Sequence, residues 1–130
     1  VLAKTLLTDL GIRNKLNAAK AVSDQAITNI QKQDANKLYA LGDSTFKADN
    51  TVPQLKSLLK AVNPYVSSTT TITKRNLLKD TEGDAVSIIY KFTSKKDYYL
   101  RVTVDKPKGS DKWQLNNLLG NASEAKVLPQ

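Results

Sequence analysis

A chain of 130 residues, 40% hydrophobic and 25% charged, has the size and composition of one folded core rather than two domains or a disordered polymer. It holds no histidine, cysteine or methionine, which removes thiol chemistry, disulfide stapling, histidine general bases and the commonest zinc ligands; no metal, cofactor or catalytic residue is expected. Lysine and arginine outnumber the acids 20 to 12, a net charge of +8 that attracts anionic polymers, lipid surfaces or acidic proteins.

Arginine stands only at Arg13, Arg75 and Arg101, so the bidentate guanidinium contacts that read phosphates and bases are scarce, and nucleic acid is not an expected partner. No window reaches the ~18 to 20 consecutive apolar residues of a membrane span. Because the sequence has no methionine and begins at Val1, an upstream piece is expected, a membrane anchor in preference to a tag or signal peptide.

Leu2, Leu6 and Leu10 stand at helical spacing up to Gly11, a weak point, and residues 1–17 are expected to form a helical extension or stalk. Ile12, Leu16, Ala19, Val22, Ala26 and Ile30 then recur at steps of three and four, the apolar stripe of a long amphipathic helix. Its opposite face carries Lys20, Asp24, Thr28, Gln31 and Lys32. Asp34 offers an N-cap to a short helix over 35–41, and Gly42 stands where a left-handed C-terminal residue is wanted. Phe46, isolated in a polar segment, is expected to plug a loop onto the core. Thr51-Val52-Pro53-Gln54 spells a capping box; Val52, Leu55, Leu58, Leu59 and Val62 make that helix's buried face, and Asn63-Pro64 ends it.

From Ser67 the period changes to two. A threonine-rich strand over 67–73 continues irregularly through Leu77 and Leu78, and 80–84 is a turn. Val86, Ile88, Tyr90 and Phe92 alternate with Ala85, Ser87, Ile89 and Lys91; Tyr98, Leu100, Val102 and Val104 alternate with Tyr99, Arg101, Thr103 and Asp105. After a loop over 106–112, a last strand over 113–119 carries Trp113 and Leu115 on one face, with Trp113 and Tyr90 expected as core anchors. Short connections make these four strands an antiparallel meander. The result is an α+β fold, N-terminal helices packed against a curved four-stranded sheet, over residues 18–121, with 122–130 as a frayed tail.

The run Ala26-Ile27-Thr28-Asn29-Ile30-Gln31-Lys32-Gln33-Asp34-Ala35-Asn36-Lys37-Leu38-Tyr39-Ala40-Leu41, followed by Ser44-Thr45-Phe46-Lys47, resembles the opening of cystatin-like, nuclear-transport-factor-2-like domains of the small bacterial envelope kind. Tyr90-Lys91-Phe92, Tyr98-Tyr99-Leu100-Arg101-Val102 and Trp113-Gln114-Leu115 are similar to that family's sheet strands. The resemblance implies the same α+β fold, a place outside the membrane on an N-terminal anchor, and no assigned reaction. Its enzymatic members set an acid and a tyrosine, or a histidine and an aspartate, in a cone-shaped pocket; here histidine is missing and Asp34 with Tyr39 could imitate the former pair.

Among other constellations, Asp80, Glu82 and Asp84 lack the loop of a calcium site and are expected to be a solvated turn, and no phosphate-binding glycine motif occurs. The outer sheet face is the expected binding surface, carrying Ser87, Ile89 and Lys91, then Tyr99, Arg101 and Thr103, then Gln114 and Asn116. An exposed Ile89 beside Lys91, Tyr99, Arg101 and Gln114 combines residue types common in interface hot spots, and points to a protein partner or a second copy of the chain. The expected function is a non-enzymatic binding or scaffold domain. Its alternatives are a small isomerase or dehydratase using the cone pocket, and a basic nucleic-acid-binding module.

Overall fold

A helix of thirty residues, α1 (Leu2–Gln31), runs through Gly11 without a break; one glycine, at about 1 kcal/mol, is too small a penalty to interrupt it. The structure, a computed structural model, describes residues 2–66, 69–80, 83–93 and 96–128, side chains included except at 2–12 and 78–80. Among the described side chains of α1, Ala19, Ser23, Ala26, Ile27 and Ile30 are buried. Three of these five are small, which lets the sheet lie close against the helix axis. Leu16 packs on the core and Lys15 Nζ lies 3.0 Å from the Asp84 carboxylate, so the packed part of α1 begins before the expected boundary at Ala18.

The chain reverses at a corner with a defined hydrogen-bond pattern. Asp34 N–H donates to the Asn29 carbonyl at 2.8 Å and Gln33 N–H to the Ile30 carbonyl at 3.2 Å, the paired bonds of a Schellman termination. Gln33 occupies the left-handed position, φ 60°, where glycine is usual. Its side-chain amide compensates by donating to the Ile30 carbonyl at 3.1 Å. Gln33→Gly should therefore gain a net ~0.5 kcal/mol, backbone relief outweighing the lost amide contact. A urea midpoint that falls would show that the side-chain bond stabilises the corner by more than the left-handed backbone costs.

Asp34 then caps α2 (Ala35–Ala40), accepting from the Lys37 N–H at 3.0 Å as expected. Gly42 departs from expectation, being absent from the left-handed positions. It forms a parallel bridge with Leu115, and a Cβ added there would lie 2.4 Å from Phe46 Cδ1. Phe46 is buried as expected, but on a helix rather than a loop: α3 (Ser44–Asp49) is capped by Asp43, whose carboxylate accepts from the Phe46 N–H at 2.8 Å. The Thr51 capping box is complete at the head of α4 (Val52–Val62), which buries Leu55 and Leu59 and leaves Leu58 52% exposed.

Four antiparallel strands follow in the order β1 (Thr70–Asp80), β2 (Gly83–Thr93), β3 (Asp97–Pro107) and β4 (Gln114–Asn121), the meander expected from the alternation. Val86, Ile88, Tyr90 and Phe92 face the helices with Leu100, Val102, Val104 and Leu115, so the core sits between one sheet face and α1, α2 and α4. Trp113 packs partly buried against that core from just before β4, not from within the strand. Two register shifts bend the sheet: Thr73 is the extra residue of β1, and Asn116 that of β4, where Leu115 pairs with Val104 and Asn117 with Thr103.

The outer face differs most from expectation. Ser87 and Ile89 are buried, Ile89 at 1% exposure. Residues 122–128 are not frayed: Ser123 N–H donates to Asn121 Oδ1 at 3.0 Å, a 3₁₀ turn spans Glu124–Lys126, and Val127 is fully buried, while 129–130 of the expected tail lie outside the described residues. Lys74, Ile89 and Arg101 stand side by side across β1, β2 and β3. Lys74 Nζ lies 3.9 Å from Glu124 and Arg101 Nη1 donates to the Val127 carbonyl at 3.3 Å. The segment after β4 thus returns over the Ile89 row and covers it.

Candidate functional site

The five residues expected to form one binding surface are divided by this arrangement. Ile89 and Arg101 lie beneath the C-terminal segment, where Arg101 Nε is buried with no acceptor among the described residues. An exposed Ile89 is therefore not available to a partner while that segment is seated, because a sheet face with helices on its other side needs its apolar centre covered. Lys91 and Tyr99 form the next row, with Lys91 Nζ 5.9 Å from the Tyr99 ring centre and 3.6 Å from the Asp97 carboxylate. Both are half-buried and remain at the open end of the face. Gln114 is paired with Asp105 at the opposite end and lines a different feature, a polar cleft.

That cleft, about 610 Å³, lies where the Asp43 corner meets the ends of β2, β3 and β4, and is lined by Asp43, Asp84, Asp105, Lys106, Gln114 and Asn116 among others. Asp43 is 5% exposed. Its carboxylate accepts from the Phe46 N–H at 2.8 Å and from Asn116 Nδ2 at 2.9 Å. Burial works to raise its pKa, but the hydrogen bonds from Asn116, the Phe46 N–H, Asp105 and the Thr45 N–H outweigh it and hold the group below its ordinary value. Asp105 faces it in hydrogen-bonding reach. Burial, then the hydrogen bond to Asp43 and its negative charge, push Asp105 up to about 7. With Asp43 lowered and Asp105 raised, the pair carries one proton in mildly acidic solution, Asp43 being the ionised member.

Sequence reasoning missed this pair. Asp105 belongs to the outer-face alternation of β3, and only the β4 bulge and the Gly42–Leu115 bridge bring Asp43 to it. The available signal was Asp43 three residues before Phe46, an N-cap spacing that places a carboxylate at a helix start.

Asp34 and Tyr39 do not act as a pair: Asp34 caps α2, and the Tyr39 ring carries Lys47 Nζ at 5.4 Å from its centre. Of the acidic turn, 81–82 lie outside the described residues, and Asp84 is engaged by Lys15. Between the sheet and α4 lies an apolar cavity of about 210 Å³, lined by Leu55, Leu59, Val62, Leu100 and Leu118 with Tyr98 at its wall. Tyr98 stacks on Tyr65 at 5.2 Å, and its hydroxyl is raised by burial and then by Tyr65. Tyr90 is a core anchor as expected; its hydroxyl donates to Asp24 Oδ1 at 2.8 Å and lies 2.9 Å from Ser23 Oγ, fixing α1 on β2. Asp24, expected on the solvent side of α1, is therefore turned to the sheet edge, where Lys20 also binds it at 2.5 Å.

Among the described residues no helix is long and apolar enough to cross a membrane. No family model and no curated relative matches the chain.

Proposed function

We propose that this chain is a non-enzymatic binding or scaffold domain, of the cystatin-like kind found in bacterial envelope proteins, with its place outside the membrane. The observation that carries the reading is the filled interior. The space between helices and sheet is packed with Leu38, Phe46, Leu55, Leu59 and Phe92, and the remaining cavity of about 210 Å³ is apolar, with Tyr98 its one titratable lining residue among those described. A catalytic cone pocket needs a positioned acid or base inside it. The partner is an acidic protein segment, drawn by the net charge of +8 and met at the Lys91–Tyr99 end of the outer face.

The enzymatic alternative gains one supporting observation, the Asp43–Asp105 pair beside a polar cleft. Against it, two N–H groups already occupy the Asp43 carboxylate, as the cap of α3 and as the acceptor of Asn116.

The test uses polyglutamate as the probe. Replacing Lys91 and Tyr99 together by serine should leave the melting temperature within a few degrees and weaken polyglutamate binding several-fold at low salt, since both side chains are partly exposed and a lost hot-spot residue costs at least ~1 kcal/mol. Equal binding by variant and parent would remove this face as the partner surface.

A further inference from the structure

The Asp43 corner is held to the sheet by few bonds. Asp43 N–H donates to the Leu115 carbonyl at 2.8 Å and Leu115 N–H to the Leu41 carbonyl at 2.8 Å, an isolated parallel bridge rather than a strand. Besides the core packing of Leu41 and Phe46, the side-chain hydrogen bonds at this point among the described residues run through the Asp43 carboxylate, which caps α3 through the Phe46 N–H, receives Asn116 of β4, and meets the Asp105 carboxyl of β3. The first two partners are N–H donors. The third is an acceptor unless it carries a proton, and Asp105 Oδ1 is buried with no donor among the described residues. A contact between two carboxyl groups requires one proton; without it, two like charges face each other in a partly dry site.

We propose that Asp43 and Asp105 form a proton-dependent latch: one shared proton holds the Leu41–Ser44 corner onto the ends of β3 and β4, and its loss releases that corner and widens the polar cleft.

The surrounding charges do not cancel the effect. From β2, Asp84 adds a third negative charge and is itself engaged by Lys15 of α1. From β3, Lys106 is the cation that lines the cleft, and β4 supplies the neutral Gln114 and Asn116. From α3 come the N–H groups of Thr45 and Phe46, while the Lys47 amine is turned away to Tyr39. Because Asp105 titrates at about 7, the latch changes state near neutrality, closed in mildly acidic solution and released as pH rises. The inference is independent of the proposed partner surface, which lies at the other end of the sheet.

Amide hydrogen exchange read by NMR at pH 6 and pH 8.5, corrected for the intrinsic base-catalysed rate, tests it. Protection of the Asp43, Phe46 and Leu115 amides should fall about tenfold or more at the higher pH, while Ile88 at the centre of β2 is unchanged. Asp105→Asn, whose amide donates to Asp43 without ionising, should keep those three amides protected at both pH values. A direct carboxyl carbon titration of the unaltered chain accompanies it. Equal protection at both pH values, or an Asp105 midpoint below 5, would overturn the latch whether or not the variant folds.

Discussion

Phe46→Ala is expected to remove about 3 to 5 kcal/mol of stability, the usual cost of emptying a buried phenylalanine site. The ring is 2% exposed and belongs to the core cluster, yet it is delivered by α3, a helix of only six residues. A helix that short has no independent stability, so its Asp43 cap and its Phe46 anchor depend on one another. For a domain whose total stability is ~5 to 15 kcal/mol, the substitution consumes a large fraction, and the urea midpoint should drop accordingly. A loss under ~1 kcal/mol would place the ring in a site able to collapse. The facing position gives a second check. Gly42→Ala would drive a Cβ to 2.4 Å from Phe46 Cδ1 and 3.1 Å from the Tyr39 carbonyl, so the buried ring would have to shift. Overpacking of this kind costs ~1 to 3 kcal/mol, and combining it with Phe46→Leu should cost less than the two separate losses added together.

The same corner separates what the letters convey from what they do not. Local signals suffice wherever a residue's partner lies within a few positions: the Thr51 capping box, the Asp34 cap and the alternation of β3 are all present as expected. Phe46 is legible as core because an isolated aromatic has to be buried, but α3 is not, since six polar-flanked residues show too little periodicity to outweigh a turn. Gly42 invites a left-handed reading from its place after a helix, whereas its reason is distant in sequence, the close approach of Phe46 and the bridge to Leu115. The Asp43–Asp105 pair depends on the Asn116 bulge, and a bulge leaves no mark in a one-dimensional alternation. Ile89 does leave a mark: an isoleucine at the centre of a face expected to meet water. That pattern suggests a partner molecule, and the segment of the chain around Glu124 and Val127 covers the isoleucine instead.

Removing residues 122–130 should lower stability by ~2 to 4 kcal/mol and make the shortened chain self-associate. The magnitude follows from burial: full burial of a valine or isoleucine side chain contributes ~1.5 to 3 kcal/mol, and extended-chain references make such sums upper values. Val127 is fully buried and Ile89 is 1% exposed, and the hydrogen bond from Arg101 Nη1 to the Val127 carbonyl adds up to ~1.5 kcal/mol, whereas the 3.9 Å Lys74–Glu124 pair, half-exposed, contributes little. Val127→Ser in the full chain should reproduce part of the loss, about 1 to 2 kcal/mol, without shortening it. Thermal melts give the stability, and sedimentation velocity gives the association. Once uncovered, Ile89 would stand next to Arg101 and, one strand further, Leu119, which is already 38% exposed; the row would become a strip of two apolar side chains bridged by the aliphatic stem of the arginine on an antiparallel sheet face. Two such strips bury each other readily, so the shortened chain should form dimers while the parent does not gain mass under the same conditions. A shortened chain that melts and sediments like the parent would mean that the C-terminal segment neither protects Ile89 nor stabilises the sheet. The outer face would then owe its low exposure to cross-strand packing by Lys74 and Arg101 alone, long stems laid over an isoleucine with their charged heads in water.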